Sequence, residues 1–73
     1  TGRAARGYAM RLTDREREVV RLLCEGHLFK TAARELGVTE KTIERHLENA
    51  RDRNNAKTTT QVCVMAVKEG LIK

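Results

Sequence analysis

Apolar residues recur along this chain at the three- and four-residue spacing of amphipathic helices. The first such stretch carries an apolar stripe at Val19, Val20, Leu22 and Leu23. Thr13 precedes it and stands three residues before Glu16, which is the spacing of a capping box. Gly26 follows the stripe as a signal for a left-handed helix end. The pattern therefore predicts a first helix over residues 14–25.

Two further patterns follow directly. The first has apolar residues at the positions i, i+3, i+4 and i+7, namely Phe29, Ala32, Ala33 and Leu36. Gly37 ends it, so we predict a short second helix over residues 29–36. Thr39 is placed to cap a third helix over residues 40–53. Its inward face has the same spacing and is predicted to consist of Ile43, His46, Leu47 and Ala50.

The C-terminal part contains a polar stretch, residues 54–58, which predicts a loop. Thr59 or Thr60 is expected to cap a last helix over residues 60–69, whose apolar residues occupy more than one side. The alternation typical of strands is missing, and so are internal repeats. The sequence therefore predicts an all-α domain of four helices.

The second and third helices are spaced as a helix-turn-helix. Ala33 is small enough for the helices to approach, Gly37 supplies the positive φ of the turn, and Ile43 wedges between them. A pair of this kind presents its second helix to the major groove of DNA.

Charge adds little to this interpretation. The chain has 73 residues and a formal net charge of +5, but Arg3, Arg6 and Arg11 precede the first helix signal. We interpret residues 1–11 as a flexible basic linker and residues 12–73 as the folded domain. A domain of this size has a thin core and no room for a deep catalytic cleft. Because the chain starts with Thr1 and an irregular segment, we interpret it as the C-terminal part of a larger protein.

The composition also limits the chemistry. No apolar run approaches the ~20 residues that span a bilayer, and a signal-peptide pattern is missing, so we expect a cytoplasmic protein without membrane contact. Cys24 and Cys63 would pair in a secreted protein, but both lie within apolar helical patterns and are expected to be free buried thiols. Neither has metal-ligand spacing with a histidine. We predict no metal, no cofactor, no catalytic residues and no enzymatic activity.

From Leu12 to Ile72 the sequence resembles, without gaps, the DNA-binding domain of the LuxR family of bacterial regulators. The resemblance lies in residues 12–20 at the first helix, Glu25-Gly26 at its end, residues 38–46 at the third helix, and the final pairs Thr60-Gln61 and Leu71-Ile72 with Gly70. Residues 46–51 are most similar to the branch that senses acyl-homoserine lactones in quorum sensing.

The resemblance implies that the third helix reads double-stranded DNA, that the fourth pairs two copies into a weak homodimer, and that an N-terminal sensor domain, absent here, controls activity. The base-reading positions it implies are Lys41, Glu44, Arg45 and Glu48. Phosphate contacts are expected from Lys30, Thr39, Thr42, Arg51, Arg53, Lys57, Thr59 and Thr60. Dimer contacts are expected from Val62, Val64 and Met65.

The sequence departs from the family pattern at three places. Glu44 and Glu48 are acidic, so they either accept hydrogen bonds from cytosine, with possible pairing to Lys41 and Arg45, or repel phosphates. Leu28 replaces the Ser or Thr that usually caps the second helix. Asn54 and its neighbour Asn55 replace Leu-Gly, so we expect a looser corner after the third helix.

Two other functions are compatible with this fold. In the first, the acidic third helix binds a basic protein surface instead of DNA. The second, RNA binding, is disfavoured because the chain has only one Tyr and one Phe on which bases could stack.

Overall fold

The computed structural model describes residues 10–72, and this part of the chain contains four helices and no strand. The helices are α1 (Asp14–Cys24), α2 (Phe29–Leu36), α3 (Glu40–Arg53) and α4 (Thr59–Lys68). The predicted all-α fold is confirmed. Helix α1 ends one residue earlier than predicted, and α4 begins and ends one residue earlier.

Helix α1 begins with the predicted capping box. The Glu16 amide donates to Thr13 Oγ1 at 3.1 Å, and the Thr13 amide donates to Glu16 Oε1 at 3.0 Å. Asp14 and Glu16 also place negative charge in the first turn, where the helix dipole favours it. The start of α1 is therefore fixed by local contacts alone.

The cap of α4 differs from the prediction. Thr58, not Thr59 or Thr60, is the capping residue: its backbone is extended, and its hydroxyl accepts from the Gln61 amide at 3.0 Å. Three successive threonines give equivalent capping signals. The Gln61 side chain selects between them, because it reaches back to accept from the Lys57 amide at 2.8 Å.

Helices α1 and α3 form the centre of the domain. Each of them packs against the other three helices. The largest fully buried side chains are Ile43, Leu47, Val19, Val20 and Val62, and Met10 and Ile72 also belong to the core. The core is thus entirely aliphatic apart from the Met10 thioether.

The predicted helix-turn-helix geometry is present. Ala33 is 5% exposed and Ile43 is fully buried, so the small residue and the wedge both lie between α2 and α3. Gly37 adopts φ +68°, and the Val38 amide donates to the Ala33 carbonyl at 2.9 Å. This left-handed end reverses the chain within three residues and sets the direction of α3.

One charged side chain lies inside the domain. The Glu16 carboxylate is 3% exposed and accepts from Arg53 Nη1 as well as from the Thr13 amide. Arg53 is the last residue of α3, so the pair ties the end of α3 to the start of α1. A buried carboxylate is tolerated only when it is paired and hydrogen-bonded, and both conditions hold here.

The corner after α3 is tied down, contrary to the expected looseness. The Asn54 side chain accepts from the Arg11 amide at 2.6 Å and donates to the carbonyls of Arg11 and Ala50 at 2.7 and 2.8 Å. Asn55 supplies the left-handed conformation at φ 56°. Met10 and Arg11, which the sequence interpretation placed in the linker, pack with the domain, while residues 1–9 lie outside the described residues.

We expect Arg53→Met to lower the free energy of unfolding by about 2 kcal/mol. Removing one partner of a buried pair costs about 3–5 kcal/mol, and the effect is smaller here because the Arg53 side chain is 38% exposed. Urea unfolding measures this change in the free energy of unfolding. Arg15→Met is the control, since its exposed pair with Glu18 should contribute less than about 1 kcal/mol. Equal losses of unfolding free energy in the two variants would contradict the stabilising role of the buried Arg53–Glu16 pair.

Gly37→Ala should destabilise the domain by about 1 kcal/mol, because a side chain is strained at this φ. An added Cβ would meet nothing within 4 Å, so the backbone conformation is the only cost. The expected fall in Tm is about 4–8 °C in thermal unfolding. Gly37→Asn should lose less, since Asn tolerates the left-handed region. Equal Tm values for Gly37→Ala and Gly37→Asn would contradict the explanation by backbone strain at residue 37.

Candidate nucleic-acid interface

The start of α3 is held rigidly. Thr39 caps the helix by accepting from the Thr42 amide at 3.1 Å, and the two hydroxyls lie 2.9 Å apart within hydrogen-bonding distance. Ile43, Leu47 and Ala50 are buried on the inward face, as predicted, whereas His46, predicted on the same face, is only half-buried. With its start capped and one face buried, α3 cannot rotate about its axis without opening the core.

The opposite face of α3 carries the four predicted base-reading residues. All four are exposed: Lys41, Glu44, Arg45 and Glu48. They fall at i, i+3, i+4 and i+7 of one helix, so they form a continuous surface about two turns long. We call this surface the α3 face.

Charged residues on the exposed side of α3 are organised in rows. Glu40, Glu44, Glu48 and Asp52 follow one another at i, i+4 spacing and are all exposed. Beside this acidic row run Lys41 and Arg45, also four residues apart. Like charges at this spacing destabilise a helix by about 0.2–0.5 kcal/mol per pair. Helix stability therefore gives no reason for the acidic row.

The anticipated pairing within the helix is not formed. The ion pairs found in residues 10–72 join Arg15 to Glu18, Arg21 to Glu25, and Arg53 to Glu16. Neither Lys41 with Glu44 nor Arg45 with Glu48 is among them. Both carboxylates are therefore available to a ligand.

The predicted phosphate-binding residues occur at the starts of α2, α3 and α4 and at the end of α3. Lys30, Lys57 and Thr60 are exposed, whereas Thr42, Arg51 and Thr59 are half-buried. Thr39 and Thr42 hydrogen-bond to each other, and Arg53 donates to Glu16. Arg53 thus has a structural partner that the sequence interpretation missed, because residues 16 and 53 are distant along the chain.

The start of α2 has the predicted defect. Leu28 stands at the capping position without a side-chain cap, and it is 71% exposed. Thr31 does not replace the cap, because its hydroxyl donates to the Leu28 carbonyl and leaves the first amides of α2 free. These amides carry partial positive charge, which favours an anion.

The predicted dimer contacts on α4 need one correction. Val62 is fully buried against the core, as is Ala66 four residues later, so it cannot meet a second copy. Met65 is half-buried against the core. Val64 is 47% exposed, and Val67, which the sequence interpretation missed, is 54% exposed. The i, i+3 spacing of Val64 and Val67, opposite Val62 and Ala66, was the available signal.

Other kinds of site find no support in residues 10–72. No group of three His, Cys, Asp or Glu side chains is placed to hold a metal ion there. Within the same range no helix has both the length and the apolar character required to cross a membrane.

Known proteins resemble this chain in sequence. A family model described as bacterial regulatory proteins of the luxR family matches residues 10–66. The spore germination protein GerE of Bacillus subtilis is 39% identical over 59 residues, which cover 81% of this chain and 80% of GerE. The transcriptional regulatory protein DegU of Brevibacillus brevis is 34% identical over 62 residues, covering 85% of this chain and 26% of DegU.

Two further similarities extend the comparison. The transcriptional activator AnoR of Acinetobacter nosocomialis is 34% identical over 65 residues, covering 89% of this chain and 27% of AnoR. The crystal structure of the VqmA–ligand–DNA complex of Vibrio cholera has a TM-score of 0.75 and 31% identity, over 88% of this chain and 28% of that chain. The chain therefore spans most of GerE but only about a quarter of DegU, AnoR and VqmA.

The match to the family model and the similarity to GerE cover most of the folded part, including the capped α1 and the whole helix-turn-helix. The chain belongs to the luxR family of bacterial regulatory proteins, as a DNA-binding helix-turn-helix domain.

Proposed function

We propose that this domain regulates transcription by placing α3 in the major groove of double-stranded DNA. The observation that carries the proposal is the division of α3 into a buried face and the exposed α3 face. The major groove admits one α-helix, and side chains on its outer face reach the base edges. The function requires no catalytic step and no cofactor.

We assign base reading to the α3 face. Arg45 and Lys41 match the acceptors O6 and N7 of guanine, and the carboxylates of Glu44 and Glu48 match the N4 amino group of cytosine. These two glutamates have no ion-pair partner in the described part of the chain, which supports their assignment to bases. The preferred half-site should therefore be rich in G·C pairs.

We assign positioning to the surrounding polar residues. Backbone phosphates on the two sides of the groove would meet Lys30, Thr39, Thr42, Arg51, Arg53, Lys57, Thr59 and Thr60. Contacts of this kind fix register and orientation without reading sequence. The uncapped amides of α2 lie beside Lys30 and add a further donor set.

We also propose that the domain is the output part of a larger cytoplasmic regulator with an N-terminal sensor domain. The lengths of DegU and AnoR, about four times the matched region, support this. The resemblance of residues 46–51 to the branch that senses acyl-homoserine lactones favours a regulator of quorum sensing, whose signal would bind outside this domain.

The acidic row favours one alternative. Four carboxylates in line could bind a basic surface of a protein partner instead of DNA. Lys41 and Arg45 on the same face oppose this alternative, because they would repel such a partner.

A labelled mixed-sequence duplex, titrated with the domain at several salt concentrations, tests DNA binding by fluorescence anisotropy. The affinity should fall steeply with salt, because the contacts that do not depend on sequence are to phosphates. The double variant Glu44→Gln with Glu48→Gln should bind this duplex roughly tenfold more tightly, because two repulsions of about 1 kcal/mol each, partly screened by salt, are removed.

The matched control carries the same charge change elsewhere. Glu18→Gln with Glu69→Gln removes two exposed carboxylates from α1 and from the residue after α4, so its affinity should rise much less. Absence of binding at low salt by the folded domain would refute DNA binding and favour the protein-partner alternative. Equal gains in the two double variants would refute the docking of α3.

We further propose a weak homodimer through the exposed side of α4. Val64 and Val67 form an apolar strip one helical turn long on a helix whose other side is in the core. Two copies paired in this way would read half-sites about one helical turn of DNA apart. The small area explains why the association is expected to be weak.

Val64→Lys should weaken self-association about tenfold, because burying one valine contributes about 1.5–3 kcal/mol and the lysine adds repulsion between copies. Analytical ultracentrifugation over a range of concentrations measures this. Leu28→Lys is the control: it makes the same change at an exposed apolar residue outside α4. The proposal is wrong if the control weakens association as much, or if the unmodified domain stays monomeric throughout.

A further inference from the structure

Two cysteines meet where α1 packs against α4. Cys24 is the last residue of α1, and Cys63 lies in the first half of α4. Both are free thiols and half-buried, and they line the same groove. The DNA-binding function uses neither residue.

Both thiols are accessible from solvent. They line an open groove of about 390 Å³ together with Val64, Val67 and Lys68. No residue of α3 contributes to this groove. A small reagent can therefore reach both sulfur atoms without disturbing the α3 face.

Cys24 is held in its protonated form. Burial raises the pKa of Cys24 to about 12, and the neighbouring Cys63 thiol and the charge of Glu25 add to this effect. The Lys68 ammonium, on the α4 side of the groove, is the other charged group nearby. Because Cys24 is protonated near neutral pH, we take Cys63 as the first nucleophile.

We propose that Cys24 and Cys63 form a reversible intramolecular disulfide when the domain meets a low-molecular-weight disulfide. The Cys63 thiolate attacks one sulfur of the reagent, which forms a mixed disulfide and releases one thiolate. Cys24 then loses its proton and attacks the Cys63 sulfur, which releases the second thiolate. The two protons lost by the cysteines end on the two released thiols, so the protein is oxidised by two electrons and the reagent is reduced by two.

The bond would join α1 to α4 and close a loop of roughly 40 residues. Such a cross-link stabilises a protein mainly by restricting its unfolded chain. We expect Tm to rise by about 10 °C on oxidation and to return when a reductant is added. The affinity of a single domain for DNA should stay unchanged, because no residue of α3 lines the groove. It is measured at low concentration, where the domain is monomeric, because Val64 and Val67 line the groove and also form the proposed dimer strip.

The test uses oxidised glutathione with the reduced domain at low concentration, followed by intact mass and thiol counting under denaturing, non-reducing conditions. The domain should lose two hydrogens, keep no free thiol and remain a single chain. Cys24→Ser should stop at one bound glutathione on Cys63. Cys63→Ser should react slowly, because burial, the largest cause of the raised Cys24 pKa, is still present in this variant. Circular dichroism verifies that each variant is folded.

Three results would overturn the proposal. Glutathione could stay bound to the unmodified domain, two chains could become linked, or both thiols could stay unreacted in the folded domain while reacting after unfolding. Oxidation to the internal disulfide without a rise in Tm would overturn the proposed cross-linking effect.

Discussion

The orientation of α3 depends on three apolar side chains. Ile43, Leu47 and Ala50 are the residues that α3 buries, and no other face of this helix offers an apolar stripe of similar length. Because the core is small, few other contacts oppose a rotation of α3, and the helix position rests largely on these three. The four residues of the α3 face are exposed as a consequence of what their neighbours bury.

Polar contacts then fix the two ends of α3. Thr39 caps its start, and Arg53 ties its end to Glu16, which also completes the capping box of α1. The same carboxylate therefore stabilises the start of one helix and the end of another. A thin aliphatic core specifies shape poorly, since its contacts have no direction. The directed contacts of Glu16 and Asn54 supply the register between α1, the segment before it and α3.

Local patterns predicted the helices well, because caps and apolar periodicity act over three or four residues. Thr13, Thr39 and Gly37 all have the predicted roles. The cap of α4 was missed for a local reason, because three successive threonines give equivalent signals and Gln61 also accepts from the Lys57 amide. The contacts of Asn54 with Arg11 and of Arg53 with Glu16 join residues that lie 43 and 37 positions apart, so no local pattern predicts them.

The candidate site also contains features that a local pattern predicts and features that depend on how the helices pack. The α3 face could be predicted from one helical wheel, because its buried side is a single stripe. On α4 residues 62–67 are all apolar, so buried Val62 differs from exposed Val64 and Val67 only in spacing, which is a weaker signal than the alternation of polar and apolar residues on α3. The position of Cys24 and Cys63 in one groove depends on how α1 packs against α4, which no local pattern contains.

The acidic row has a consequence for selectivity. In the proposed base-reading role, Glu44 and Glu48 would weaken binding to every DNA sequence by repulsion from phosphates, and a cytosine amino group would compensate them only at the correct position. They would therefore lower affinity for random DNA more than affinity for the operator. About 10⁶–10⁹ non-specific sites compete with the operator for a regulator. The ratio of the affinities for operator and random DNA therefore matters more than the affinity for the operator alone. Carboxylates on a DNA-reading helix are thus compatible with function, because specificity is a difference between two affinities.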